Sequence, residues 1–394
     1  MAFLTSLQLD GLLSFAPGSE PIPLTPLNVL IGPNGSGKSN LIEAVELLHA
    51  APTAFANAIR DGGGAQEWLW KGDGGNGSAS IEVHLDQTKV APEMRYRLAF
   101  TTTAQRTEVT DEVVENLHKA RATEKDVFFY YRFQSGRPAI NVREGGKGRA
   151  QRHIERQSLV PDESVLSQRK DPDLYPELTW VGQQFGRIQT FREWTFGRYT
   201  SLRKTQRADM PTDELLADAS NLALVLNELE HSSAWPEFNR LVKRFLPRYQ
   251  RFSVKVYGGS VQFFLHEEGL RLPVPATRLS DGTIRFMALL AVLLSPNPPP
   301  LVCIEEPELG LHPDALSLVA ELLVAASERM QLIVTTHSDV LVSALTEHAE
   351  SVLVCERIAG ASQLRRIESA RVQDWLDRYR LGDLWRIGEL GGNP

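Results

Sequence analysis

Eight consecutive residues, Gly32-Pro33-Asn34-Gly35-Ser36-Gly37-Lys38-Ser39, have the types and spacing of a phosphate cradle. Glycines open backbone angles that let successive N–H groups turn inward toward phosphate oxygens. A lysine after the last glycine reaches the β- and γ-phosphates, and the serine hydroxyl that follows ligates Mg²⁺. The spacing Gly-x4-Gly-Lys-Ser is the P-loop pattern, which carries weight only between a strand and a helix. Both flanks comply: Leu27–Ile31 is an unbroken apolar run suited to a buried strand, and Leu41, Ile42, Val45 and Leu48 fall at helical spacing. The residues expected around a bound nucleotide are Gly32, Asn34, Gly35, Ser36, Gly37, Lys38, Ser39 and Asn40.

A second chemical group ends another apolar run. Leu301–Ile304 leads into Glu305-Glu306-Pro307, two adjacent carboxylates at a strand terminus, where ligands of an open α/β sheet bind. In such a place Glu305 holds Mg²⁺ or its water shell, and Glu306 orients and deprotonates the attacking water. His337 follows the apolar run Leu332–Val334 in the same way, although a lone histidine at a strand end is more often structural. Arg278-Leu279-Ser280-Asp281-Gly282-Thr283 precedes a helical pattern, with Ser280 or Asp281 as the cap and Gly282 permitting close backbone approach.

Taken in order, P-loop, Leu-Ser-x-Gly, apolar-Glu-Glu-Pro and strand-His resemble the ABC-type ATPases, and within them the RecF, SMC and OLD-like branch. The match covers roughly 1–50 and 270–345. It implies a two-lobed ATPase head that closes around ATP as a homodimer or larger homo-oligomer, Ser280 and Gly282 of one copy facing the γ-phosphate held at Lys38 of the other. It also implies a γ-phosphate contact for His337, catalytic roles for Lys38 and Glu306, and a dimer-interface position for Glu308–Pro313. A glutamine that ends a strand and ligates Mg²⁺ is expected as well. Gln168 fits best, with Gln183 and Gln184 as rivals.

The elements that must position these groups follow from periodicity. Ile81–Leu85, Met94–Thr102, Val127–Phe133 and Ala139–Val142 alternate as an antiparallel meander does. Residues 171–250 read as helical, and Phe252–Tyr257 with Val261–Leu265 read as a hairpin around Gly258-Gly259-Ser260. The fold expected is α/β with parallel pairing of the motif strands, the meander and a helical insert. Its divisions are 1–170 (P-loop and antiparallel sheet), 171–250 (helical insert) and 251–394 (signature, acidic pair and histidine).

No heptads fill the 242-residue span from Lys38 to Ser280, unlike the coiled coil of SMC proteins. Only about forty residues follow Ser351–Cys355, too few for the TOPRIM nuclease domain of OLD proteins, and the tail resembles that of stand-alone ATPases of the branch. Those are often encoded beside a separate effector, so the resemblance implies a sensor and regulator of a nuclease-like partner in anti-phage defence. A RecF-like repair clamp and an ATP-gated scaffold with little turnover are the alternatives.

Composition narrows the class. Of 394 residues, 42 are Lys or Arg and 49 Asp or Glu, a net charge of −7 that excludes a uniformly basic nucleic-acid binder. Residues 119–207 oppose that balance, with 18 basic against 10 acidic residues interleaved with Phe128, Phe129, Tyr130, Tyr131, Phe133, Phe191, Trp194, Phe196 and Tyr199. Such a segment suits nucleic acid through phosphate contacts and stacking, or is a solvated basic face over an aromatic core. The longest apolar run, Phe286–Leu294, is about half a membrane span. Cys303 and Cys355 lie in apolar runs and suggest no disulfide framework. A cytoplasmic location without membrane contact is expected.

Overall fold

The computed structural model describes residues 2–86, 92–104, 106–119, 121, 123–134, 136–143, 149–154, 159–192, 194, 197, 199–368, 375–376 and 378–392. The chain forms two compact units, one of Met1–Ile188, Ser351–Ile367 and Leu390–Pro394, the other of Gln189–Glu350 and Glu368–Glu389. The divisions expected from the sequence fall at 170 and 250. Helices do occupy 171–250, but Pro176–Gly186 belongs to the first unit and Leu222–Glu230 and Trp235–Phe245 to the second. The strand that opens the second unit, Gln189–Phe191, has three residues, too few to show an alternation.

In the first unit an antiparallel sheet runs in the order Ile22–Pro23, Leu4–Asp10, Ser78–Leu85, Met94–Thr103, Arg106–Asn116, Phe129–Gln134, Arg137–Arg143 and Arg149–His153. The meander is longer than its alternations suggest. Arg106–Asn116 carries few apolar residues, and its acids are matched across the ladder: Arg95 to Glu115 at 2.7 Å, Arg97 to Asp111 at 2.5 Å, Arg132 to Glu115 at 2.6 Å. The P-loop strand Leu27–Ile31 is wholly buried and pairs in parallel with Val352–Ile358, which pairs antiparallel with Ala361–Arg366. The helix Lys38–Ala50 buries Leu41, Ile42, Ala44, Val45, Leu47 and Leu48.

In the second unit three parallel strands lie in the order Gln189–Phe191, Leu301–Glu305, Gln331–Thr335. The helix Leu316–Ser327 connects the last two. The signature helix Asp281–Leu293 is buried at every position from Thr283 on, which its apolar residues on all sides require. A hairpin of Tyr249–Tyr257 and Ser260–Glu267 turns through Gly258 and Gly259, both at positive φ, so Ser260 joins the strand and the loop has two residues. Among the described residues no helix is long and apolar enough to cross a membrane.

Candidate functional site

The P-loop is built as its residue types demand. Gly32, Gly35 and Gly37 have φ of 146, 76 and 107°. A Cβ at Gly32 would stand 2.1 Å from the carbonyl oxygen of Cys355, so no other residue fits there. Behind the loop the helix Lys38–Ala50 starts from Gly37 with no side-chain cap and no acid in its first turn. Its N-terminal N–H groups and dipole thus remain available to an anion. Lys38 is 6% exposed and donates to the carbonyls of Gly32 at 2.7 Å and Pro33 at 3.0 Å.

Neighbouring polar groups brace the loop. The Ser36 carbonyl accepts from the Ser362 hydroxyl at 2.6 Å and from the Cys355 thiol at 3.1 Å. Burial pushes that thiol above its ordinary pKa, so Cys355 serves as a neutral donor. Ser14 Oγ lies 2.7 Å from the Ser362 hydroxyl and accepts from Asn40 at 2.8 Å. Asn34, Gly35 and Ser39 are exposed. The buried Ser36 hydroxyl has no hydrogen-bond partner among the described residues, an orphan that a phosphate oxygen would satisfy.

The second unit assembles the acidic pair with the histidine. Glu305 is paired with Thr335 in the parallel ladder, and Glu306 lies immediately past it. Glu306 holds φ of 46°, a left-handed conformation unusual for a side chain of this size. Two contacts impose it: its N–H donates to the Thr335 carbonyl at 3.0 Å, and its carbonyl accepts from Arg285 at 3.0 Å. The carboxylate lies 3.8 Å from Nε2 of His337. Glu308 fixes the histidine's backbone, accepting from the Thr336 hydroxyl at 2.7 Å and from the His337 N–H at 2.9 Å. One buried oxygen of Glu305 has no hydrogen-bond partner among the described residues. A cation at that oxygen is chemically sensible.

The signature loop belongs to the same unit. Ser280 caps its helix, accepting from the Thr283 N–H at 3.0 Å. A Cβ at Gly282 would stand 2.7 Å from the Gly310 carbonyl, so the signature packs against the segment Glu308–Pro313 that the resemblance places at a dimer interface. Sequence reasoning missed two arginines here. Arg203, 5% exposed, donates to the carbonyls of Leu279 at 2.5 Å and Ala276 at 3.2 Å and pairs with Asp281, tying down both sides of Ser280. Arg285 lies 5.7 Å from the Trp194 ring centre, and burial lowers its pKa against the opposing pull of Glu308 and Glu306. An arginine in an apolar helix run was the only signal for it.

Two expectations change. Gln168 ends the four-residue helix Val165–Gln168 and not a strand. Its amide accepts from the Val160 N–H at 2.8 Å and donates to the carbonyls of Val160 and Glu163 at 3.2 and 3.1 Å, so it is spent on its own loop. Gln183 and Gln184 lie within the helix Pro176–Gly186. Of the aromatic residues of the basic segment, Tyr130, Tyr131, Phe133, Phe191 and Trp194 are buried, and Phe128 and Phe129 are half-buried. Tyr199 is 80% exposed, and Phe196 lies outside the described residues.

These features define a P-loop fold of the kind seen in Smc head domains. Residues 27–343 match the model of the family described as "AAA domain, putative AbiEii toxin, Type IV TA system", and the chain belongs to that family. Three solved structures share the fold. An Smc head bound to the C-winged helix domain of ScpA has a TM-score of 0.58 at 14% identity, with 94% of this chain and 99% of that one covered. The Smc head with an extended coiled coil from Pyrococcus furiosus, bound to the C-terminal domain of ScpA, has 0.57 at 14%, covering 96% and 99%. The Smc head with coiled coil and joint from Pyrococcus yayanosii has 0.52 at 11%, covering 96% and 99%. No curated protein matches the sequence.

Proposed function

We propose that the protein binds and hydrolyses Mg²⁺-ATP, dimerises around it, and through that cycle regulates a separate, nuclease-like effector in cytoplasmic anti-phage defence. On this reading Lys38 exchanges its bonds to the loop carbonyls for phosphate oxygens. Ser39 and Glu305 are each candidate ligands for Mg²⁺, which would neutralise phosphate charge when bound. The donors fit that ion: no group of three or more His, Cys, Asp or Glu forms a metal cage among the described residues, and Mg²⁺ beside phosphate takes most of its ligands from phosphate and water. Glu306 takes the proton of the attacking water, and His337 contacts the γ-phosphate. Ser280 and Gly282 of a second copy close the site, with the N-terminus of their helix toward the polyanion.

The observation that carries hydrolysis is Glu306, held at φ of 46° by partners on both sides of its peptide and 3.8 Å from His337. A strained residue kept in place by its surroundings is typical of a working site. The regulatory role is supported by the family description, which names a toxin and a toxin–antitoxin system, and by the two Smc heads bound to domains of ScpA. The test is Glu306→Gln, which keeps side-chain volume and removes the base. Phosphate release should fall roughly 10²–10⁴-fold, and an ATP-bound dimer should accumulate on size-exclusion chromatography with ATP and not with ADP. Undiminished steady-state hydrolysis in this variant overturns the assignment. A wild type without multiple turnover supports a scaffold instead.

A further inference from the structure

Residues 390–392 belong to the first unit, although Glu368–Glu389 before them belong to the second. The function proposed above gives them no role. Their partners come from the hairpin of Val352–Ile358 and Ala361–Arg366, whose first strand lies beside the P-loop strand. Arg365 donates to the Leu390 carbonyl at 2.9 Å, and the half-buried Glu356 accepts from the Gly392 N–H at 2.9 Å. Leu390 is 4% exposed, and Gly392 is buried.

This segment needs both of its glycines. Gly391 and Gly392 have φ of 75 and 54°. A Cβ on Gly391 would stand 2.7 Å from a Glu356 carboxylate oxygen. One on Gly392 would stand 2.7 Å from Val354 Cγ1, and 3.4 Å from both the Cys355 carbonyl oxygen and Gly32 Cα. The same Cys355 carbonyl is the group that forbids a side chain at Gly32. Gly32, the first residue of the phosphate loop, therefore has Cys355 and Gly392 packed against it, and its own carbonyl accepts from Lys38. A loop that must aim several N–H groups at one anion binds more weakly when its first residue is free to move, because that freedom is lost on binding.

We propose that Gly391 and Gly392, held by Glu356, form a wall of the phosphate loop and fix Gly32 in its binding conformation, which makes Glu356 a positioning residue for the nucleotide. The inference rests on the ATP reading and deepens it, since it completes the loop with residues far along the chain from it. Diphosphate and triphosphate both use the loop, so both depend on this wall.

Calorimetric titration of the full chain with a non-hydrolysable ATP analogue and with ADP, both with Mg²⁺, tests it. Glu356→Ala deletes the acceptor, and Gly392→Ala drives the segment off the loop. Each should weaken both nucleotides roughly tenfold, as loss of one hydrogen bond does. The double variant should bind no more weakly than either single one, since both changes release the same segment. Glu356→Gln keeps an acceptor oxygen without the charge and should bind within about twofold of the wild type. Gly74→Ala is the control: with φ of 77° and nothing near its Cβ, it carries like backbone strain elsewhere in the unit and should leave both affinities unchanged. Wild-type affinity in Glu356→Ala and Gly392→Ala overturns the inference even where their unfolding midpoints fall, and so does equal weakening in Glu356→Gln or Gly74→Ala. A wild type that binds neither nucleotide overturns the ATP reading and the inference with it, a distinguishable result.

Discussion

The left-handed backbone at Glu306 has a measurable consequence. At an ordinary position, replacing Ala by Gly costs about 0.5–1 kcal/mol, because glycine loses more freedom on folding. At φ of 46° the Cβ of any L-residue meets the following carbonyl, at roughly 1–2 kcal/mol. Glu306→Ala and Glu306→Gly both delete the carboxylate and its contact with His337, so their difference isolates the backbone. Subtracting the two central values leaves the Gly variant more stable than the Ala variant by about 0.7 kcal/mol, a few degrees in midpoint for a unit of this size. Urea and thermal unfolding measure the order of the pair, while phosphate release should be lost in both. An Ala variant as stable as the Gly variant would show that Thr335 and Arg285 do not force the conformation, and the idea of a preset base would fall with it.

Two further outcomes follow from buried groups. Arg203→Met keeps the side-chain stem and strips the Leu279 and Ala276 carbonyls and Asp281 of their partner. It should cost about 2–3 kcal/mol in chemical denaturation, and weaken ATP-dependent dimerisation more than nucleotide binding; unchanged stability would refute the anchoring role. Glu112, which accepts from Tyr96, Ser164 and the Val165 N–H, is pushed up to about 7 by burial. A carboxyl raised from 4.5 contributes its full stability below about pH 4.5 and loses it as pH rises through 7, about 3 kcal/mol in all. Glu112→Gln should flatten that slope between pH 4.5 and 7, and a slope like that of the wild type would refute it.

The P-loop and the acidic pair were legible because each stands directly after an unbroken apolar run, and His337 because it lies three residues past one; such a run marks a buried strand whatever lies around it. Arg192, whose Nε lies 3.6 Å from a Glu305 oxygen, was not, since the strand before it has three residues. Arg203 was hidden for another reason. A basic residue in a polar stretch reads as surface, and only the tertiary fold brings three acceptors to it. Gln168 misled because Ser164-Val-Leu-Ser looks like a strand end, while the Ser164 hydroxyl accepts from the Leu166 N–H and starts a helix. The φ of Glu306 has no local signature at all. Its partners lie 29 and 21 residues away in sequence.

The basic segment 119–207 shows how charge counted along a chain differs from charge available at a surface. Its net excess suggested a nucleic-acid face, and its aromatics a stacking platform. Five of those rings are buried, which removes most of the platform. Several of the cations are spent as well. Arg132 pairs with Glu115 and Asp126 in the antiparallel sheet, Arg207 with Asp209, and Arg169 donates to its neighbour's carbonyl. Arg192 and Arg203 pair with Glu305 and Asp281, residues of the acidic strand end and the signature loop. Carboxylates gathered at a strand end and in the loop before a helix raise the local negative charge, and cations close by offset it. Part of the excess read as a docking surface is therefore counter-charge for Glu305 and Asp281, which lie 113 and 78 residues further along the chain than the arginines that face them.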